Sequence, residues 1–359
     1  MPDDTPQQNH PHPEPQQPHS LEESRNTLVK LAFGAMAAHT VAAAARLDVL
    51  GRIGDGERSA DDLAAECVAE PGTLTRLLRA LTGLGLLTEP APGGFAATPA
   101  GALLRRDAPG SMHSFVEMFT HPAMLRAWER LDDSVRSGGP SFEAVHGTDF
   151  FGYLAEHPQL SEQFNAAMSQ GTAHTAGLLP TAFPFDRHTA VADIGGGDGT
   201  LLAGLLRAHP HLRGILFDRT EGLAQAGPRL AEDGLTDRCS LVAGDFFATA
   251  PEGADVYLLK SVLHDWNDEQ CGRILGHVRK VVPDGGRLLI IEPVLPATAN
   301  AEGDGIRYLT DLNMLVNLGG RERTRDDFER LCRAAGFALR TVTPFPRPNR
   351  YALIEAEPV

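Results

Sequence analysis

Val191-Ala-Asp-Ile-Gly-Gly-Gly-Asp-Gly-Thr200 is an apolar run that enters a glycine-rich turn and then a helix. Gly195, Gly197 and Gly199 lack Cβ atoms, so the backbone there can turn tightly and approach a ligand. The dinucleotide fingerprint G-x-G-x-x-G needs a glycine at position 200, where Thr200 stands. That counts against NAD and fits a ligand without a pyrophosphate, although many α/β loops carry such a turn without a cofactor. Asp218 ends the run Ile215-Leu-Phe217, and a carboxylate at a strand tip can accept from a ribose diol or cap the next helix. In Gly244-Asp-Phe-Phe247, Asp245 could bind an adenine amino group while Phe246 stacks on its ring.

Together, the D-x-G-G-G-x-G run from Asp193, the acidic tip Asp218 and the G-D-F segment resemble the S-adenosylmethionine-dependent methyltransferases. Two further segments narrow the likeness. Leu259-Lys-Ser-Val-Leu-His-Asp-Trp-Asn-Asp268 resembles the K-x-x-x-H-D-W segment of the plant-type small-molecule O-methyltransferases, whose actinobacterial members tailor aromatic secondary metabolites. Gly319-Gly-Arg-Glu-Arg-Thr324 is similar to that family's G-G-x-E-R-T segment. The resemblance spans about residues 25–356. It implies an α/β fold: a Rossmann-like class I methyltransferase domain behind an N-terminal, mostly helical winged-helix dimerisation domain.

The resemblance also implies roles. Asp193, Gly195 and Gly197 fall to the methionine end of S-adenosylmethionine, Asp218 to its ribose, Asp245 and Phe246 to its adenine, and Lys260 to its polar edge. Arg219 stands where many plant members have Leu, which changes the adenine packing and not the ribose contact. His264 takes the place of the general base, with Glu292 and Glu322 as the carboxylates that hold it; Glu322 could instead cap or pair with Arg321 or Arg323. A phenol with a pKa near 10 is only about one part in a thousand ionised at pH 7, so a neutral imidazole is a useful proton acceptor. The implied reaction is in-line transfer of the sulfonium methyl to a hydroxyl, releasing S-adenosylhomocysteine, with no metal. Trp128, Met168, Asp265, Trp266, Asn313 and Met314 are candidates for the acceptor pocket. C- or N-methylation, a diverted hydroxylase or decarboxylase, and a winged-helix transcription regulator are the competing readings.

These side chains need a scaffold, and the pattern supplies one. From about Ala190 short apolar runs alternate with amphipathic helices, as in a parallel sheet. Strands are predicted at 190–194, 214–217, 239–242, 256–259 and 287–291, with two more at 337–342 and 351–354. Helices are predicted over 220–230 and from the capping box Thr324-Arg-Asp-Asp327 to about Ala335. His264 follows the fourth strand and Glu292 ends the fifth, so both can face one crevice at the sheet's carboxyl edge. Residues 111–185 read as helices with aromatic and methionine positions, a helical connection that contributes to the acceptor pocket, ahead of a cofactor-binding domain over 186–359.

Residues 21–110 read as a winged helix: a helix after Ser59, a second after Pro71 with Leu74, Leu77, Leu78, Leu81 and Leu84 on one face, and a hairpin through Leu87 and Phe95. This stretch has nine Lys/Arg against eleven Asp/Glu, and the whole chain carries a net charge of −15. Both argue against duplex nucleic acid and for a dimerisation module. The apolar stretch Leu31–Leu50 is predicted to be a core helix that mates across a two-fold axis. Residues 1–20, rich in Pro and Gln, should be a disordered tail. No signal or membrane segment is apparent, and the four cysteines form no metal or disulfide pattern. The sequence thus predicts a cytoplasmic homodimer acting on a small aromatic molecule.

Overall fold

The computed structural model describes residues 20–299 and 305–359. Its large sheet uses β4 (Ala190–Ile194), β5 (Arg213–Asp218), β6 (Cys239–Ala243), β7 (Val256–Lys260), β8 (Arg287–Leu295), β10 (Phe337–Pro344) and β11 (Tyr351–Pro358). These lie in the order β10-β11-β8-β7-β4-β5-β6, parallel except for the final hairpin. All seven predicted strands are present, most of them a residue or more longer than expected. Helices cover both faces, so β4, β7 and β8 read as continuous apolar runs instead of alternating ones. Leu201, Leu202, Leu205 and Leu206 pack one face, while Ile274, Leu275, Val278, Phe328 and Leu331 pack the other.

The chain leaves β4 toward β5 and β6, then returns to β7 and β8 on the opposite side. Strand order therefore reverses between β4 and β7, and a crevice opens at their carboxyl ends. Asp218 and Lys260 end strands at this edge, and the glycine turn, Asp245 and His264 follow strands there. A short strand absent from the sequence reading, β9 (Arg323–Thr324), pairs with the far end of β8 through Val294↔Arg323.

One predicted helix is wrong in extent. The segment over 220–230 is helical only at Ala226–Glu232. Pro228 is the reason: it has no N–H and its ring clashes with the carbonyl four residues back, so it is tolerated only in a first turn. The helix Arg325–Ala334 opens with the predicted capping box, Thr324 and Asp327 bonding each other's backbone N–H.

The N-terminal region is mostly helical. The expected hairpin forms as β2 (Leu87–Ala91) and β3 (Gly94–Ala97), and an unpredicted β1 (Glu57–Ser59) completes a three-stranded wing. Leu74, Leu78 and Leu81 are buried as expected, whereas Leu84 lies outside. Leu31–Leu50 is not one core helix. It breaks at Phe33 between Leu21–Ala32 and Gly34–Arg46, bent by 42°, with Gly34 lowering helix propensity there, and again at Asp48 before the helix Val49–Ile53. No single helix among the described residues is long and apolar enough to cross a membrane. The expectation for residues 1–20 lies outside the described residues, apart from Ser20, which caps the first helix.

Ala42, Ala44, Val49 and Leu50 are buried in their own chain, but Leu28, Leu31, Phe33 and Met36 are 57–71% exposed. The unmatched apolar face is thus the N-terminal part of the stretch and its preceding helix. An apolar face of this kind belongs in an obligate-type dimer interface, roughly 2,000 Å² or more. Light scattering at micromolar concentration should report a dimer; a monomer would contradict this use of the face.

Candidate active site

The glycine turn builds one side of the crevice. Gly195, Gly197 and Gly199 have φ of 70°, 57° and 79°, the left-handed region that other residues enter at a cost. Beside Gly197 there is open space, while Gly195 lies against Val262 and Phe246. Asp218 accepts from the Gly197 N–H at 2.8 Å and from the Arg219 N–H at 2.7 Å. It therefore ties the second strand's tip to the turn and caps no helix. Burial raises its pKa, against the pull of those two N–H groups.

Asp193 is buried, and its Oδ2 has no hydrogen-bond partner among the described residues. Burial, with Asp218 nearby, pushes its pKa up to about 7. A bare buried acceptor beside an open glycine turn fits a ligand that brings its own donor, such as an amino group. Asp245 accepts from the Phe247 N–H at 2.8 Å, which fixes the loop that carries Phe246. Lys260 is engaged within its own chain: its Nζ donates to Ser261 Oγ at 3.0 Å and sits 4.9 Å from the Tyr351 ring centre. Asp193, Asp218 and Asp245 as acceptors and Phe246 as a stacking surface are the groups that could hold an adenosyl amino acid.

After β7, His264 stands in a single turn of 3-10 helix, Leu263–Asp265. Its Nδ1 lies 3.2 Å from Glu322 Oε1 and 3.3 Å from Glu292 Oε2. Nε2 faces Asp265 Oδ1 at 3.4 Å. Glu292 is fully buried, and its Oε1 accepts from the Val262 and Leu263 N–H groups at 3.0 Å each. One carboxylate thus shapes the turn and faces the ring that the turn carries. Glu322 pairs with neither neighbouring arginine; Arg321 and Arg323 both bind Asp268, and the Glu322 N–H donates to Asp311 at 2.8 Å.

Donor atoms of His264, Glu292 and Glu322 lie within 4.8 Å of one another, a spacing that a small cation could also span. The resemblance brought these three together as a base and its carboxylates, and not as metal ligands. A proton on Nδ1 shared toward the two carboxylates accounts for the same distances. Burial disfavours the imidazolium, but Glu292, Glu322 and Asp265 outweigh it and hold His264 well above its ordinary 6.5. Burial likewise raises Glu292, and pushes Asp265 to about 7 against the pull of His264. An NMR titration of the cofactor-free protein should find the His264 imidazole titrating above pH 6.5. A midpoint at or below 6.5 would mean that the carboxylates do not outweigh the burial of the ring.

The proposed acceptor wall is partly assembled. Trp128 Nε1 donates to Asn313 Oδ1 at 3.0 Å, and Asn317 Nδ2 reaches the same oxygen at 2.9 Å. Asn317 was missed, although its i,i+4 spacing from Asn313 put both on one face of the helix Ile306–Leu318. Met314 is buried there too, and Val316 joins Phe142, Phe150 and Met118 in the apolar cluster that Trp128 and Met168 flank. Trp266 stacks on Phe151 at 5.7 Å and meets Phe247 edge-on at 4.7 Å. A groove of about 820 Å³ opens elsewhere, beside His39, Arg46, His121 and Arg126, and includes none of these residues.

Residues 128–338 match the model of an O-methyltransferase domain, and residues 29–107 match an O-methyltransferase dimerisation domain. The chain is 41% identical to the O-demethylpuromycin-O-methyltransferase of Streptomyces alboniger, covering 94% of this chain and 90% of that one. It is 38% identical to the 8-amino-8-demethylriboflavin N,N-dimethyltransferase of Streptomyces davaonensis, over 87% and 89%. Among solved structures it resembles the O-methyltransferase of neocarzinostatin biosynthesis, held with S-adenosylmethionine and 2-hydroxy-5-methyl naphthoic acid. That match has a TM-score of 0.76 and 32% identity, covering 90% of this chain and 96% of the other. A glycine turn with a bare buried carboxylate, facing a histidine held by two more, thus sits in a chain that belongs to this family: it is an S-adenosylmethionine-dependent O-methyltransferase with the family's dimerisation domain.

Proposed function

We propose that the protein methylates a phenolic hydroxyl of an aromatic secondary metabolite, with His264 as the general base. The observation that carries this reading is the His264 ring: Nδ1 is committed to Glu322 and Glu292 at 3.2 and 3.3 Å, so Nε2, with the Asp265 carboxyl beside it at 3.4 Å, is the nitrogen left to serve an acceptor. Because those carboxylates hold the ring's pKa well above 6.5, it must first shed its Nε2 proton. The retained Nδ1–H then fixes the tautomer with a lone pair on Nε2, and the carboxylates stabilise the imidazolium that forms as the acceptor's proton is taken. S-adenosylmethionine supplies the electrophilic methyl when bound. Asp193, Asp218, Asp245 and Phe246 would hold it, and Lys260 would lie at its polar edge. Trp128, Met168, Asp265, Trp266, Asn313 and Met314 would wall the acceptor, a flat aromatic ring slotting between Trp266 and the Trp128–Asn313 pair. The apolar face at Leu28–Met36 would be covered by a second copy, and the enzyme would work in the cytoplasm. Residues 21–110 would then be the dimerisation domain and 186–359 the cofactor domain, joined by the helical connection over 111–185.

Mass spectrometry with isotope-labelled S-adenosylmethionine tests the acceptor class, using phenols and matched anilines of polyketide, phenazine and aminobenzoate type. Labelled methyl ethers are expected. Methylation of the anilines alone would favour the dimethyltransferase relative's chemistry and defeat the phenol reading.

A further inference from the structure

Arg323 is 1% exposed, a rare state for an arginine, and it sits next to Glu322 on β9. Its guanidinium does not face the crevice. Nη1 donates to the Leu263 carbonyl at 2.6 Å and Nη2 to the Trp266 carbonyl at 2.8 Å. Nε and Nη2 both reach Asp268 Oδ1, at 3.1 and 2.8 Å. The two carbonyls lie on either side of His264 and Asp265. From the opposite side, Glu292 takes the Val262 and Leu263 N–H groups. The backbone of the histidine turn is therefore gripped by its acceptors through Arg323 and by its donors through Glu292.

Close packing supports the same arrangement. A Cβ on Gly320 would lie 2.0 Å from the His264 carbonyl oxygen, so only glycine lets this segment lie against the turn. Gly320, Glu322 and Arg323 thus bring one short segment onto the turn, Glu322 reaching its ring and Arg323 its backbone.

We infer that Arg323 is a positioning residue that fixes the aim of His264, and that the planar fork of arginine is required for it. This rests on His264 being the base. A lysine could keep the pairing with Asp268 but cannot span both carbonyls, because its ammonium is a single point charge. A turn released at one carbonyl would let the imidazole drift, and displacements near 1 Å are enough to slow a positioned reaction.

The test compares wild type, Arg323→Lys, Asp268→Asn and His264→Ala with a phenol found in the labelled-methyl screen and with its nitro-substituted counterpart. Asp268 is half exposed, so its variant should fold even where Arg323→Lys does not. Arg323→Lys is expected to lower kcat on the ordinary phenol about tenfold, with S-adenosylhomocysteine affinity unchanged. Asp268→Asn should show a smaller loss of the same pattern. In both, the defect should shrink on the nitrophenol, which ionises without a base; loss of fold alone would slow both acceptors equally. Equal losses on the two acceptors, or no loss, would overturn the inference. If His264→Ala itself shows no difference between the acceptors, the base reading fails and this inference falls with it.

Discussion

His264→Ala is expected to lower turnover of an ordinary phenol near pH 7 by about 10²–10⁴, with nearly unchanged affinity for S-adenosylhomocysteine. The size follows from what the imidazole replaces. Without it, the acceptor must lose its proton to water, and at pH 7 only about one phenol in a thousand is ionised. The selectivity for kcat follows from the geometry. His264 lies after β7, while Asp193 and Asp218, the carboxylates proposed to hold the cofactor, belong to β4 and β5. Removing the ring leaves their contacts in place. Glu292→Gln should cost less, because Glu322 at 3.2 Å still accepts from Nδ1. Its amide oxygen can also still take the Val262 and Leu263 N–H groups. Steady-state kinetics and calorimetry on the same variants check both statements, and equal turnover of His264→Ala and wild type would remove His264 from the reaction.

Asp218→Ala should weaken S-adenosylhomocysteine binding by about ten- to 150-fold, the usual scale for losing a charge-assisted contact. Two losses contribute. A ribose diol would lose its acceptor, and the Gly197 N–H would lose the carboxylate that holds the glycine turn at 2.8 Å. Asp218→Asn keeps one acceptor and should fall between the two. Calorimetric titration measures each. Unchanged affinity in Asp218→Ala would leave the carboxylate no part in holding the cofactor.

How much of this was legible beforehand depended on how local each signal was. The parallel strands declared themselves as short apolar runs, and the caps at Ser59 and Thr324 as polar residues just ahead of helices. The D-x-G-G-G-x-G turn was legible because left-handed backbone leaves a glycine signature. Partnerships across the chain were not. Arg323 reads as any surface arginine until β9 pairs with β8 and buries it against the turn 60 residues earlier. Asp311, which takes the Glu322 N–H, sits on a helix with no motif around it. The helix expected across Pro228 failed for a reason that was written in the sequence. The apolarity of the N-terminal stretch was legible as a partner face, but its break at Phe33, which puts the exposed apolar residues at Leu28–Met36, was not.

The central claim is that His264 takes the acceptor's proton as the methyl is transferred. The most direct measurement is the ratio of wild-type to His264→Ala kcat across ring-substituted phenols whose pKa values run from about 10 down to about 7. If His264 is the base, the ratio should be large for the weakest acid and fall toward one as the phenol comes to ionise unaided at the assay pH. A ratio that stays constant across the series would contradict the account, leaving His264 a structural residue beside a reaction driven by proximity alone.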